Sequence, residues 1–147
     1  MKFTTATLAL ISSSLALAAP TTRAVSAAAA DEWTLEGVTR TCTAEDTTCL
    51  WSFGIYTGSG DAIPAVFVVN ATSSAPASQA NGGPTVFGAY TITSGWSGQF
   101  GAGEGFTTIS VIDYANKLIA YPAYKDTELG NGTTVSPDRS YPVQSLP

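Results

Sequence analysis

The pattern of apolar and polar positions along the chain predicts a series of short β-strands. The cleanest alternation covers residues 50–57, where Trp51, Phe53 and Ile55 fall on one face and small or polar residues fall on the other. Successive side chains of a strand point to opposite faces of the sheet, so these three are expected in the core. Beyond the N-terminal stretch, no segment shows the 3.6-residue apolar stripe of an amphipathic helix.

Further segments rich in β-branched and aromatic residues predict the remaining strands. They lie at residues 32–42, 63–70, 87–93, 96–100, 106–112 and 118–121, with a last polar pair at 127–129 and 133–135. Gly37 interrupts the first strand and predicts a bulge. Pro64 restricts the start of its strand to a sheet edge or to a first position, while the continuous apolar run after it indicates that both faces are covered. Seven or eight short strands predict a small all-β single domain, either a β-sandwich or a closed antiparallel β-barrel with one disulfide.

The segments between these strands are rich in glycine and other small residues. Residues 71–83 are expected to form a long mobile loop, and residues 137–147, with three prolines, an extended tail. Residues 95–105 (GWSGQFGAGEG) contain many glycines but no following Lys-Ser/Thr pair or helix. We therefore interpret them as a turn or bulge that uses positive φ angles, and not as a phosphate-binding loop.

The N-terminus has the features of an export signal. Residues 1–18 combine the charged Lys2, an apolar stretch too short to span a bilayer and a small-residue cleavage site after Ala18. Residues 19–30 are low in complexity and are predicted to be a disordered leader, which leaves residues 31–147 for the β domain. The protein is therefore expected to be secreted.

The charge balance limits the partners. The formal net charge is −5 at pH 7, and removal of the signal with Lys2 makes the secreted chain more acidic. Nucleic acids and anionic membrane surfaces both require basic patches, so neither is an expected partner.

Cys42 and Cys49 are the two cysteines, and export delivers them to an oxidising compartment. We expect them to form a disulfide, because two thiols in a chain without histidine cannot complete a zinc site. The bridge would close a short hairpin loop and contribute about 2–3 kcal/mol. It cannot replace a core, so the domain must bury a substantial apolar interior.

Catalytic chemistry is restricted by the absence of histidine, which excludes Ser-His-Asp and Cys-His mechanisms. Carboxylates remain. Asp126 and Glu128 are two residues apart, would share a face of a strand, and could serve as a glycosidase pair. An acidic strand edge that discourages sheet pairing explains them better. Glu104 is a lone carboxylate among glycines. No metal or other cofactor is expected.

Exposed aromatic residues offer a route to ligand binding. Trp96, Tyr121 and Tyr124 are candidates for a surface on which sugar rings stack, although tyrosine is common at strand edges. The other tyrosines considered for this surface are Tyr56, Tyr114 and Tyr141. Two N-glycosylation sequons, at Asn70 and Asn131, stand next to predicted loops.

Several blocks of this sequence resemble a family of small secreted fungal proteins, the hypersensitive-response-inducing elicitors. They are residues 105–113 (GFTTISVID), 118–126 (LIAYPAYKD) and 137–141 (PDRSY), together with Trp33, Cys42 and residues 49–53 (CLWSF). The resemblance covers residues 33–147. It implies a compact β-barrel or β-sandwich, secreted by a filamentous fungus, that provokes defence or local cell death in plants. The resemblance does not imply an enzyme, and it supplies no catalytic residues to carry over.

These observations leave three functional hypotheses. The first is a non-enzymatic secreted effector or elicitor that is bound by a host surface component. The second is a cell-wall or carbohydrate-binding protein that uses its exposed aromatic residues. The third is a small glycosidase that depends on Asp126 and Glu128.

Overall fold

Two antiparallel β-sheets form the part of the chain that the computed structural model describes, residues 31–147. The predicted export signal (1–18) and leader (19–30) lie outside these residues. The strands are β1 Glu32–Cys42, β2 Thr48–Tyr56, β3 Ile63–Asn70, β4 Gly82–Phe87, β5 Tyr90–Ser97, β6 Phe106–Asp113, β7 Leu118–Ala120, β8 Ala123–Lys125, β9 Arg139–Pro142 and β10 Gln144–Ser145.

The strand order identifies the architecture as a β-sandwich. Sheet A has the order β3-β2-β1-β9, and sheet B has the order β10-β7-β6-β5-β4, with β8 paired to β6. The two sheets do not close into a barrel, so the sandwich is the correct alternative of the two predicted. Within residues 31–147, no helix is long and apolar enough to cross a membrane.

The core lies between the two sheets and is built from alternate residues of their strands. Trp51 and Phe53 of β2 point inward, and Trp51 stacks on Phe67 of β3 with 6.0 Å between ring centroids. Trp33 of β1 packs edge-on against Tyr90 of β5, 5.4 Å away. These contacts confirm the inward positions that the alternation predicts. The Trp51–Phe67 pair lies within sheet A, whereas the Trp33–Tyr90 pair joins the two sheets by burying large aromatic surfaces.

The bulge predicted in β1 is also confirmed. The register of β1 on β2 shifts between Glu36 and Thr39, and Gly37 between them has a φ of +60°. This left-handed conformation favours glycine, because a Cβ would be strained there.

β3 corrects one expectation. It is an edge strand of sheet A, which is one of the two placements that Pro64 allows, but only alternate residues are buried. Val66 and Val68 face away from sheet B and are 48% and 49% exposed. The prediction that both faces are covered is wrong, because a continuous apolar run does not reveal whether a second layer exists.

Residues 71–97 differ most from the predicted elements. The expected long loop contains a 3₁₀ turn at Ala77–Gln79 whose Ala77 is buried, and β4 begins within the predicted loop. The predicted single strand at 87–93 is divided by a tight turn between β4 and β5. β5 then continues through Trp96, so the separate strand predicted at 96–100 is wrong.

The C-terminal third departs from the predicted polar hairpin. Residues Asp126–Glu128 form a 3₁₀ turn, and residues 133–135 are not a strand. The predicted extended tail instead supplies a strand to each sheet: β9 pairs with β1, and β10 pairs with β7. The tail therefore connects the two layers of the sandwich.

Candidate functional site

Asp126 directly follows β8 and is held by side chains from both sheets. Its Oδ1 accepts a hydrogen bond from Arg40 Nη1 of β1 at 2.8 Å, and its Oδ2 accepts one from Trp96 Nε1 of β5, also at 2.8 Å. Its backbone N–H donates to the carbonyl of Gly105 at 2.9 Å. Both carboxylate oxygens are thus engaged by protein donors.

Arg40 is buried between the layers, with 7% of its surface exposed. Its guanidinium lies 5.6 Å from the centre of the Trp51 ring and also donates to the carbonyl oxygen of Ser78 at 3.2 Å. A buried guanidinium requires a compensating anion and acceptors. Asp126 supplies that anion, so its role in this fold is structural.

Glu128 is engaged by a different cation. Its carboxylate accepts hydrogen bonds from both terminal nitrogens of Arg139 and one from the backbone N–H of Lys125. The Arg139 guanidinium, followed by the Lys125 N–H, lowers the pKa of Glu128 below its ordinary value. Because Asp126 and Glu128 lie on a 3₁₀ turn, the predicted shared strand face is wrong.

An open groove of about 540 Å³ lies beside this turn. Its lining consists of Phe100, Glu104, Phe106, Ala123, Tyr124, Lys125, Glu128 and Arg139. Phe100 is 69% exposed and stacks on Phe106 with 5.7 Å between ring centroids. At the rim, Lys125 Nζ lies 3.8 Å from Glu104 Oε2. The groove thus combines an exposed aromatic platform with charges of both signs.

Glycine turns place Phe100 at the edge of this groove. The N–H of Gly101 donates to the carbonyl of Gly98, and the N–H of Glu104 donates to that of Gly101. Gly101 and Gly103 have φ angles of +104° and +80°, which confirms the predicted use of positive φ. Sequence reasoning missed Phe100; the signal was a large apolar residue in a loop of small and polar ones.

The three aromatic residues predicted to form a ligand surface have different environments. Tyr121 is exposed, whereas Trp96 is half-buried and hydrogen-bonded to Asp126. Tyr124 is only 1% exposed, and its ring packs edge-on against Tyr141 and beneath Arg139. Burial raises the pKa of its phenol well above the ordinary value. The structure therefore does not bring all three rings to one exposed surface.

The predicted disulfide is confirmed: Cys42 at the end of β1 is bonded to Cys49 of β2, directly across the hairpin. Among residues 31–147, these two cysteines and Asp46 form one cluster with the composition of a metal site. Cysteine binds metal as the thiolate, and these sulfurs are bonded to each other. The two cysteines therefore form a covalent cross-link of the hairpin and are not free to bind a metal as thiolates. Both sequon asparagines, Asn70 and Asn131, are exposed.

Comparisons with known proteins identify relatives of the whole β domain. The family model described as Effector TSP1 matches residues 34–146. A protein named Effector TSP1 from Hypocrea virens (strain Gv29-8 / FGSC 10586) is 48% identical over 139 residues, which is 94% of this chain and 93% of that protein. The match includes every strand from β2 to β10 and most of β1. The chain belongs to the Effector TSP1 family of fungal effector proteins.

Proposed function

We propose that this protein is a secreted, non-enzymatic effector that plants recognise at the cell surface and that induces a defence or hypersensitive response. Membership of an effector family supports the general role. The groove with its exposed Phe100 is the observation that carries the proposal, because it offers a partner a concave, partly apolar surface.

The state of the two carboxylates supports a role without turnover. A glycosidase needs one carboxyl group that can donate a proton and a second that acts as base or nucleophile. Asp126 is held by Arg40 and Trp96, and Glu128 is held by Arg139. The lowered pKa of Glu128 keeps it ionised, which is unsuitable for a general acid.

The groove has the composition of a protein-recognition site. Large aromatic and arginine side chains at the centre of an interface contribute most of its binding energy. Here Phe100 stands on a glycine-rich loop, and Arg139 of β9 lines the same groove. Loops carried by a rigid scaffold are the usual position for binding residues.

Infiltration of the purified protein into leaf tissue tests the proposal. Cell death or defence-gene induction is expected from the native protein and is not expected from a heat-denatured sample. Phe100→Ala should remove the response. Tyr114→Ala is the matched control, because Tyr114 is an aromatic residue of similar exposure, 64%, that does not line the groove. No response to the native protein in any plant tested, or an unchanged response to Phe100→Ala, would contradict the proposal.

Binding of a cell-wall glycan is a second candidate, favoured by the same stacked pair of rings. Phe100 presents one face to solvent because Phe106 supports the other, and flat aromatic faces bind sugar rings. A glycan array probed with the native protein, Phe100→Ala and Tyr114→Ala separates this candidate from the first. Trp96→Ala is a poor test, because Trp96 also holds Asp126.

A further inference from the structure

Both N-glycosylation sequons lie at the same end of sheet A, on opposite sides of the disulfide-bonded hairpin. β3 runs beside β2 and ends at Asn70, which is opposite Thr48 in the register. On the other side of the hairpin, the loop that carries Asn131 is fastened to β1 by a hydrogen bond from the N–H of Gly132 to the carbonyl of Arg40 at 2.9 Å.

The side chain of Asn131 is hydrogen-bonded to the hairpin through its amide oxygen and not through its amide nitrogen. Its Oδ1 accepts a hydrogen bond from the backbone N–H of Cys42 at 2.6 Å. Its Nδ2 has no hydrogen-bond partner among residues 31–147, and the residue is exposed. Attachment of a sugar replaces a hydrogen on Nδ2 and keeps Oδ1 as an acceptor. A glycan on Asn131 is therefore compatible with the contact that fixes this loop.

Asn70 repeats this arrangement at the other side. Its Oδ1 accepts a hydrogen bond from Thr48 Oγ1 at 3.2 Å, and it is exposed at the end of an edge strand. The next residue, Ala71, donates its N–H to the carbonyl of Thr47 at 2.8 Å. The backbone next to Asn70 is thus hydrogen-bonded to the hairpin. Nδ2 of Asn70 has no hydrogen-bond partner in the described part of the chain.

We propose that Asn70 and Asn131 both carry N-linked glycans, which stand on either side of the Cys42–Cys49 hairpin and limit access to its disulfide. Cys49 is fully buried and Cys42 is partly exposed, so an attacking thiolate would approach from the side of Cys42. Access is one of the factors that set the rate of thiol–disulfide exchange. The aromatic groove is lined by other residues and would stay open.

The modification is a transfer from a lipid-linked oligosaccharide diphosphate. Nδ2 of the asparagine attacks C1 of the first N-acetylglucosamine, so a C–N bond forms and the C1–O bond to the diphosphate breaks. The lipid diphosphate leaves with the electron pair, and Nδ2 loses one proton. The hydroxyl of the sequon threonine, Thr72 or Thr133, is part of the acceptor sequence.

The test uses the full chain secreted from a filamentous fungus. The purified protein is treated with peptide-N-glycosidase F, which converts each glycosylated asparagine to aspartate, and peptide mass spectrometry locates the converted sites. Conversion at both Asn70 and Asn131 is expected. Unmodified asparagine at either position in the secreted protein would overturn the proposal.

Matched variants separate the effect of the sugar from that of the hydrogen bonds. Thr133→Ala removes one sequon and leaves Asn131 in place. Thr72→Ala is unsuitable, because Thr72 Oγ1 accepts hydrogen bonds from the N–H groups of Ser74 and Ala75. Asn70→Asp removes the other sequon and keeps the oxygen that accepts from Thr48.

The rate of disulfide reduction by dithiothreitol is then compared between the glycosylated protein and the Asn70→Asp/Thr133→Ala variant. We expect the variant to be reduced several-fold faster, with an unchanged circular dichroism spectrum before reduction. Equal rates in two folded proteins would show that the glycans do not screen the disulfide, and would overturn that part of the proposal.

Discussion

Arg40 and Asp126 form an ion pair that joins the two layers of the sandwich. Arg40 belongs to β1 of sheet A, and Asp126 follows β8 of sheet B, with 2.8 Å between Nη1 and Oδ1. Trp96 of β5 donates to the same carboxylate, so side chains from β1 and β5 meet at one acidic group. Asp126, one of the two carboxylates considered as a glycosidase pair, is the partner of a buried cation.

Removal of Asp126 should destabilise the fold strongly. Asp126→Ala leaves the Arg40 guanidinium buried without its anion, and breaking such a pair costs about 3 kcal/mol. This is the lower end of the usual range, because the Asp126 side chain is 28% exposed. Chemical denaturation followed by tryptophan fluorescence measures the change in the free energy of unfolding.

The rim pair Lys125–Glu104 is the internal control for this measurement. Its side chains are 63% and 59% exposed, and the charged atoms are 3.8 Å apart. Exposed pairs contribute about 0–1 kcal/mol, so Glu104→Gln should change the free energy of unfolding little. Equal losses from Asp126→Ala and Glu104→Gln would contradict the structural role of Asp126.

Stability should fall as the solution is made acidic. The pKa of Glu128 is lowered mainly by Arg139, and the pKa of Asp113 is lowered mainly by the side chain of Asn116. The unfolded chain therefore binds more protons, and the stabilisation is complete above the ordinary values of 4.5 and 3.8. It is lost as the pH falls below those values. Melting temperatures of the native protein and Glu128→Gln, measured over this range, should converge at low pH.

Reduction of the disulfide should lower the melting temperature without unfolding the protein at room temperature. Cys42 and Cys49 are seven residues apart, so the bridge closes a short loop and contributes about 2–3 kcal/mol. The layered aromatic core remains after reduction. Calorimetry of the reduced and alkylated protein gives the shift. Loss of the near-ultraviolet circular dichroism signal at room temperature would show that the core alone does not keep the reduced protein folded.

Gly105 is required for the contact between Trp96 and Asp126. A Cβ on Gly105 would collide with Asp126 Oδ2 and would lie 2.9 Å from Trp96 Cζ2. Gly105→Ala should therefore displace the indole, lower stability and change the tryptophan fluorescence. Gly95→Ala on β5 is the control, since the nearest atom to its Cβ, Asn81 Oδ1, is 3.7 Å away. Unchanged fluorescence in folded Gly105→Ala would argue against this packing.

The fold class could be predicted from local patterns, because the two-residue alternation of apolar and polar positions in a strand is visible in the sequence. Trp51, Phe53 and Ile55 alternate, and all three are buried in β2 as that alternation requires. The bulge at Gly37 could likewise be predicted from a single residue, whereas Pro64 limited β3 to two placements, of which the edge position is the observed one. The turn between β4 and β5 was missed because aromatic residues flank it and make residues 87–93 read as one strand.

The candidate site could not be predicted because its contacts are distant in sequence. Arg40 and Asp126 are 86 positions apart, and neither carries a local signal of the pairing. Tyr124 was expected on the surface, but β9 returns from the far end of the chain to place Tyr141 against it. Long-range packing decides which aromatic rings meet solvent.

The placement of β9 and β10 has a consequence for how the protein matures. β9 completes one edge of sheet A and β10 completes one edge of sheet B, and both are made after every other strand. A polypeptide that is still being synthesised therefore lacks the outermost strand at one edge of each sheet. Both sheets can therefore reach their full width only after residues 139–145 have been made.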